Sequence, residues 1–230
     1  MGVLWAVIRP VLTMVVLVLI FGRVANLPSE GVPYPIYVFA AMLPWSFFAT
    51  AFSEAGNSMI GNANLISKVY FPRLIVPASS VIVAGVDFLI TLILLLGIMA
   101  FYGLWPTWHL LLIPVFFSIA FITALGVGVF IAALNIQYRD FKFVIPFIAQ
   151  FGMFVSPVAF GTNIVPEKYL LLYYMNPLVA VIDGFRWCAS GGVTVLNFEG
   201  MLISVLVSIA TLSVGIFYFR KTEKIFADVI

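Results

Sequence analysis

The positions of the charged residues divide the chain into long apolar stretches. Uncharged runs of 23, 51, 24 and 20 residues occupy positions 31–53, 88–138, 143–166 and 200–219. A helix needs about 20 apolar residues to cross a hydrocarbon core of roughly 30 Å. The run of 51 residues is therefore long enough for two helices. It divides at residues 103–108 (GLWPTW), where glycine and proline stop helices and tryptophan suits a membrane interface.

Two further apolar segments, 2–22 and 74–102, carry one charge each, Arg9 and Asp87. The pattern predicts an all-α polytopic membrane protein whose single domain, residues 1–230, has spans at 2–22, 34–54, 74–102, 108–134, 143–157 and 200–219. The first segment has a secretory signal as its alternative. No small-residue cleavage site follows it and its apolar core is long, which favours a retained span.

Composition supports a lipid environment. Hydrophobic residues make up 64% of the chain and charged residues 9%, whereas soluble domains are nearer half apolar and a quarter charged. The only cysteine, Cys188, excludes a disulfide within the chain and a cysteine-rich metal site.

The distribution of lysine and arginine predicts the orientation. With six spans, one side collects eight of the eleven: Arg9, Lys68, Arg73, Arg139, Lys142, Arg220, Lys221 and Lys224. The positive-inside rule then puts both termini in the cytoplasm, in a multi-pass protein of the inner (cytoplasmic) membrane.

The outer segment 158–198 is long yet largely apolar, and prolines at 157, 166 and 177 divide it into pieces too short to span. We expect two short re-entrant or interfacial helices, at about 166–175 and 178–189, because irregular backbone at membrane depth must be buried in protein or line a cavity. An ordinary outer loop packed over the bundle is the alternative.

The chain offers little for catalysis. It lacks a G-x-x-x-x-G-K-[ST] loop for nucleotides, and its single histidine, His109, makes neither a metal site nor a triad. A proton-coupling role for Asp87 needs a relay of further acids or histidines that neighbouring spans lack, so a hydrogen-bonded structural carboxylate is favoured. The long stem of Arg9 can reach the cytoplasmic surface. We therefore expect no enzyme and no cofactor in this chain.

Aromatic residues beside glycine, proline or polar groups are the candidates for a glycan pathway, because sugar rings can stack on aromatic planes. They are Trp45, Phe47, Phe48, Phe151, Phe154, Tyr173 and Tyr174. Interfacial belts and bundle packing are the competing explanation, and they account for most aromatic residues in membrane proteins.

The segment 57–73 is polar at first and then amphipathic, and it predicts a short helix along the cytoplasmic face that Pro72 stops. Leu65, Ile66 and Val69 beside Lys68 can dock into a partner's groove. An ordinary connecting loop is the alternative.

Several motifs, in this order and spacing, resemble the permease subunits of ATP-binding-cassette exporters for polysaccharides and polyol phosphates. They are residues 2–5 (GVLW) with Pro10, 43–45 (LPW), 62–65 (NANL), 68–73 (KVYFPR), 135–140 (NIQYRD), 156–157 (SP), 176–178 (NPL), 184–186 (GFR) and the tail 219–228. The resemblance runs from Gly2 to the C-terminus. Members of that family usually carry an amphipathic helix before the GVLW motif, so the resemblance also implies that this helix is missing here.

The resemblance implies a homodimer in which each copy binds a cytoplasmic ATP-binding subunit that holds ATP and magnesium. The expected cargo is a lipid-linked glycan of the O-antigen, capsule or teichoic-acid type. Membrane lipid is a further expected partner, and nucleic acid is not. Residues 158–189 would hold outer gate helices. The residues expected to contact the ATPase lie in the segment 57–73: Leu65, Ile66, Lys68, Val69, Tyr70, Phe71 and Arg73.

Tyr138 and Arg139 would lie at the cytoplasmic entrance, where a guanidinium suits a pyrophosphate headgroup. Pairing of Arg139 with Asp140 or with lipid phosphates is the alternative. Three alternatives to glycan export stay open: a related permease for drugs or other lipids, a proton-coupled transporter, and a membrane transferase. The last lacks a plausible base and nucleophile.

Overall fold

The computed structural model describes residues 2–25, 27–69, 71–138 and 140–223, and within these ranges the regular structure is helical. The helices are α1 (Gly2–Leu17), α2 (Tyr34–Gly61), α3 (Ala63–Lys68), α4 (Ile75–Phe101), α5 (Ile113–Gln137), α6 (Phe141–Val155), α7 (Glu167–Tyr173), α8 (Pro177–Ala189) and α9 (Phe198–Thr222). A π-helical segment, Val18–Val24, continues α1, and a 3₁₀ turn, Trp108–Leu112, precedes α5. The predicted all-α polytopic class is confirmed.

Five helical segments in the described ranges are long and apolar enough to cross a membrane: Val7–Val24, Tyr34–Gly61, Ile75–Phe101, Trp108–Gln137 and Phe198–Thr222. The remaining predicted span, 143–157, coincides with α6, which has 15 residues. At 1.5 Å per residue α6 is about 22 Å long, short of a core of roughly 30 Å. The count of six full-length spans is therefore not confirmed, and the described residues form five such helices and one shorter apolar helix.

Helix α6 ends early because of the residue that follows Ser156. Pro157 disfavours a helical conformation of its predecessor, and Ser156 has extended backbone with φ −92° and ψ 151°. The helix therefore stops at Val155, and the chain turns back toward the bundle instead of completing a crossing.

Helix α2 forms the centre of the bundle, where it contacts α4, α5 and α8. Small residues let the helices approach closely. Ala51 and Ala55 are fully buried, and a Cβ built on Gly128 of α5 would lie 2.8 Å from the Cβ of Ala55. Without a hydrophobic driving force between helices in lipid, such close contact is what holds membrane helices together.

The backbones of α5 and α9 touch at two glycines. A Cβ on Gly126 would lie 2.6 Å from the backbone nitrogen of Leu212, and a Cβ on Gly215 would collide with the carbonyl oxygen of Gly126. Any side chain larger than hydrogen at either position would therefore push the two helices apart.

The two short helices predicted after α6 are present as α7 and α8. Pro177 occupies the first turn of α8, and the side-chain oxygen of Asn176 accepts a hydrogen bond of 3.2 Å from the backbone nitrogen of Leu178. This N-cap satisfies a donor that the helix leaves free. Twelve of the 13 residues of α8 are buried, so α8 is packed into the bundle, against α2 and α5.

The outward faces of α4 and α9 are apolar and exposed. The side chains three or four residues apart on these faces are Ile82, Val86, Leu89 and Ile93 in α4, and Leu202, Leu206 and Ile209 in α9. A continuous apolar stripe of this kind is the surface that a membrane helix presents to lipid.

Candidate functional site

A cavity of about 800 Å³ lies between α1, α2, α4 and α6. Its lining mixes charged, hydroxyl, amide and aromatic side chains, although the helices that form it are apolar overall. The lining residues are Arg9, Pro10, Thr13, Met42, Trp45, Ser46, Phe47, Ala49, Thr50, Ser53, Glu54, Ala84, Asp87, Phe88, Thr91, Pro146, Ala149, Gln150 and Met153.

Three charged side chains face this cavity: Arg9 from α1, Glu54 from α2 and Asp87 from α4. At the helical rise, Arg9 and Glu54 lie about 10 Å, and Asp87 about 18 Å, from the helix ends Gly2, Gly61 and Ile75. All three are exposed, and an ionised group inside a membrane must face water or protein. The cavity is the space into which all three side chains open.

Hydroxyl groups line the cavity in a regular pattern. Ser46, Thr50 and Ser53 recur on one face of α2 at the spacing that places residues above one another on a helix. Thr13 and Thr91 each follow a charged residue, Arg9 and Asp87, by four positions. Each of these helices therefore contributes one polar stripe, and together the stripes can donate to and accept from a polyhydroxylated ligand.

Aromatic rings form the apolar part of the lining, and two of the predicted pathway residues are among them. Trp45 and Phe47 face the cavity together with Phe88, and the Phe47 and Phe88 ring centroids are 5.9 Å apart. Helix α6 closes this side at Gly152, where a Cβ would lie 2.6 Å from Cη2 of Trp45.

Phe48 is buried behind these rings and does not line the cavity, since it packs against Trp45 at a centroid distance of 5.7 Å.

The other predicted pathway aromatics lie elsewhere. Phe151 and Phe154 are 52% and 62% exposed on the face of α6 that points away from the cavity. Tyr173 donates a 2.8 Å hydrogen bond to the carbonyl of Val155, and Tyr174 is buried in the outer helices. The structure thus does not bring the seven predicted aromatics into one pathway within a single chain.

A second polar centre lies in the outer part of the bundle, around Arg186 of α8. Its guanidinium is buried and donates to three backbone carbonyls, those of Tyr37 (3.3 Å), Phe160 (2.9 Å) and Val158 (3.0 Å). It also lies 3.8 Å from the centroid of the Tyr37 ring. Arg186 therefore ties the segment after α6 to both α2 and α8.

Asp183, one turn before Arg186, accepts a 2.7 Å hydrogen bond from the hydroxyl of Tyr174. Burial raises the pKa of Asp183 to about 6, because the effects of Arg186 and Tyr174, which lower it, only partly offset the loss of hydration. Burial likewise lowers the pKa of Arg186. This centre is saturated with internal partners, so we assign it a structural role.

The segment 57–73, which is predicted to contact an ATPase, comprises the last turn of α2, then α3 and the turn after it. Leu65 and Val69 are 49% and 51% exposed and Lys68 is exposed. Ile66 is turned inward, 7% exposed, and packs in a cluster with Met59 and other buried side chains. The segment is thus anchored by one residue and presents its neighbours outward.

Phe71 and Arg73 connect this segment to the rest of the bundle. Phe71 is half-buried against the same cluster, and Nη1 of Arg73 donates a 2.8 Å hydrogen bond to the carbonyl of Glu223. The beginning of α4 and the end of α9 therefore lie at one face. Tyr70 lies outside the described residues.

Of the predicted entrance residues, Tyr138 is 53% exposed after the end of α5, and Arg139 lies outside the described residues. Cys188 is buried. In the ranges that the structure describes, no three His, Cys, Asp or Glu side chains are grouped as a metal site.

Sequence reasoning missed the cavity because it treated Arg9, Glu54 and Asp87 separately. The polar stripe of α2 could have indicated a common site. Ser46, Thr50 and Ser53 lie on one face of this helix, and Glu54 is the next residue after Ser53. Such a stripe on an otherwise apolar helix indicates a polar surface within the membrane.

Comparison with known proteins gives a consistent set of similarities. Residues 1–189 match the family described as ABC-2 type transporter. The chain is 30% identical over 190 residues to the O-antigen export system permease protein RfbA of Myxococcus xanthus, a match that covers 81% of the chain and 72% of that protein.

Two further relatives match along almost the whole chain. The O-antigen export system permease protein RfbA of Klebsiella pneumoniae is 27% identical over 230 residues, 100% of the chain and 87% of that protein. The polysialic acid transport protein KpsM of Escherichia coli is 22% identical over 231 residues, 97% of the chain and 87% of that protein.

Proposed function

The chain belongs to the ABC-2 type transporter family, and we propose that it carries a lipid-linked glycan across the cytoplasmic membrane as one half of a homodimer. At the coarser level it is a multi-pass membrane subunit of a polysaccharide ABC exporter. It is a transport subunit, and ATP is hydrolysed on a separate cytoplasmic subunit.

The observation that carries the proposal is the polar cavity among apolar helices. A lipid-facing bundle has no structural need for three charged groups in one place, because each costs at least about 2.5 kcal/mol at the centre of a membrane helix. A glycan needs hydrogen-bonding groups and apolar ring faces together, and Ser46, Thr50, Gln150 and Trp45 supply both on the walls of this cavity.

The second copy is assigned to the exposed aromatic face of α6. Phe143, Phe147, Phe151 and Phe154 are 52–70% exposed on this helix, which is about 22 Å long. A helix too short for the bilayer is accommodated at low cost by association with another protein surface. Phe151 and Phe154 would then lie between the two copies. We propose that they line a glycan pathway to which both subunits contribute.

We assign energy coupling to the segment 57–73. Leu65, Lys68 and Val69 form its outward surface, which suits a groove on the ATP-binding subunit. Ile66 packs against buried side chains, and Arg73 donates a hydrogen bond to Glu223. A displacement of this surface by the ATP-binding subunit is therefore transmitted to α2, α4 and the end of α9. Tyr70 and Phe71 complete the proposed contact.

The cytoplasmic entrance is assigned to Tyr138 and Arg139, with the guanidinium receiving the phosphate of the lipid headgroup. The outer helices in residues 158–189, which hold the Arg186 centre, are assigned to the outer gate.

The test is purification of the permease with its ATP-binding subunit, together with measurement of glycan export in cells. We expect a particle with two copies of each subunit by native mass. The double variant L65E/V69E should lower the amount of co-purified ATPase at least about tenfold, because two buried charges at an interface cost several kcal/mol. The matched control is V193E/V195E, which alters exposed apolar residues after α8.

Three results would contradict the proposal. The ATPase co-purifies equally with L65E/V69E, or the wild-type chain binds no ATPase at all. Alternatively, transport proceeds without ATPase and is abolished by D87N, which would identify a proton-coupled transporter.

A further inference from the structure

The cavity between α1, α2, α4 and α6 carries an unequal set of charges. Its lining has one guanidinium, that of Arg9, and two carboxylates, those of Glu54 and Asp87. In the described part of the chain none of the three makes a side-chain hydrogen bond or an ion pair; beside the hydrogen bonds within their helices, the backbone carbonyls of Arg9 and Asp87 accept from the hydroxyls of Thr13 and Thr91. The excess negative charge therefore acts on whatever occupies the cavity.

Two of the hydroxyl groups in the lining donate to backbone carbonyls and not to the carboxylates. The hydroxyl of Thr13 donates to the carbonyl of Arg9 (2.9 Å), and that of Thr91 to the carbonyl of Phe88 (2.9 Å). Their oxygen lone pairs remain available as acceptors. Each carboxylate can therefore accept hydrogen bonds from a ligand, and the ligand that satisfies it is one that brings hydroxyl or amine hydrogens.

Electrostatics separates two kinds of glycan at this point. At an effective dielectric constant of 20, a carboxylate of the cavity weakens the binding of an anionic ligand about thirtyfold when the two negative charges are about 8 Å apart. Arg9 offsets one of the two carboxylates, and the other is uncompensated. An uncharged sugar does not meet this penalty, and its hydroxyls and ring face match the carboxylates, hydroxyls and Trp45 of the lining.

We propose that this cavity is a binding site for uncharged sugar residues and that Glu54 and Asp87 select neutral glycans against polyanionic ones. The proposal rests on the proposed function in glycan export, and it names the class of chain that the exporter carries. Among the relatives, it separates this chain from one named for polysialic acid transport, whose cargo is a polyanion.

The test is equilibrium binding of two free, end-labelled hexasaccharides of equal length, one of mannose and one of α-linked sialic acid. Neither carries lipid, so only the sugar chain differs. The protein is the purified complex of the permease with its ATP-binding subunit. We expect mannohexaose to bind at least about tenfold more tightly than hexasialic acid, and the difference to shrink as salt is added.

Variants of opposite charge test the assignment. E54Q/D87N leaves the guanidinium alone in the cavity and should tighten the binding of hexasialic acid about tenfold or more, whereas R9Q should weaken it further. The matched control is E199Q, an exposed carboxylate in the first turn of α9, outside the cavity. Co-purified ATPase and unfolding temperature show whether each variant is folded, and R9Q remains informative if E54Q/D87N does not fold.

Equal binding of the two hexasaccharides by the wild type would overturn the inference, and so would variants that leave their ratio unchanged. Failure of both to bind a complex that still exports glycan would also overturn it while the proposed function stands. A chain that neither binds an ATPase nor supports export refutes the proposed function itself.

Discussion

Arg186 in α8 and Arg9 in α1 are both surrounded by apolar helices, but their guanidinium groups have opposite environments. Arg186 is 3% exposed and donates to three backbone carbonyls. Arg9 is exposed to the cavity, and within the described residues its side chain has no bonded partner. A buried cation with a bonded partner for each guanidinium nitrogen holds the fold, whereas one without partners is available to a ligand.

The same contrast separates the carboxylates near them. Asp183 accepts a hydrogen bond from Tyr174 and is buried, while Asp87 faces the cavity. Bonded charges are expensive to remove because their partners stay behind without water. A charged group without bonded partners leaves no unsatisfied partner when it is removed, so its substitution should change ligand binding but hardly change stability.

The largest effect is expected at Arg186. Substitution R186L leaves the carbonyls of Val158 and Phe160 without donors, each at a cost of about 1–3 kcal/mol. It also removes the cation that acts on buried Asp183, so we expect the variant to lose at least about 3 kcal/mol of stability. R186K should be intermediate, because one ammonium cannot reproduce a planar fork of donors. Thermal unfolding in detergent measures both.

The control for Arg186 is R220L, which removes an exposed arginine from the last turn of α9. If R186L and R220L unfold at the same temperature, the outer centre does not hold the fold and the contrast between the two arginines is lost.

A smaller effect, and one that depends on pH, is expected at Asp183. Its pKa is raised from 3.8 to about 6 in the folded protein, so the folded state holds the proton more tightly than the unfolded state. Stability from this group is then fully present below about pH 4 and is lost as pH rises through about 6, by up to about 3 kcal/mol.

The difference in unfolding temperature between the wild type and D183N isolates this effect from other titrating groups. The unfolding temperature of D183N relative to that of the wild type should increase as the pH rises from about 4 to about 6. A difference that is independent of pH would show that Asp183 ionises normally in the folded protein.

The smallest effect on stability is expected at Arg9. R9Q should change the free energy of unfolding by no more than about 0.5 kcal/mol, as is usual for a side chain without structural partners. Thermal unfolding beside R186L checks this directly. A loss comparable to that of R186L would mean that Arg9 supports the fold, and the cavity would then have to be interpreted as a structural polar network.

Much of the fold could be predicted from the spacing of charges, because apolar length is what a bilayer demands of a helix. Helices α2, α4, α5 and α9 lie within or around the predicted spans. The length of α6 was predicted as well, since the expected segment 143–157 and the observed helix both have 15 residues. The spacing of charges nevertheless counted this segment as a span, although 15 residues are too few to cross the hydrocarbon core.

The site was harder to predict than the fold. Arg9 and Asp87 are 78 positions apart, and only the packing of α1 against α4 brings them to one cavity. Aromatic residues gave an ambiguous signal, since the same ring suits a pathway, a core or a lipid surface. Trp45 and Phe47 line the cavity, but Phe151 and Phe154 lie on another face.

The glycine contact between α5 and α9 divides the bundle mechanically. Because the backbones of α5 and α9 are in contact at Gly126 and Gly215, these two helices resist both sliding and separation and form the rigid part of the bundle. On the opposite side, the only described side chains that are buried in α1 and α6 are Leu17 and Ile145. Within a single chain, a change in the width of the cavity therefore costs least where α1 and α6 move against α5 and α9.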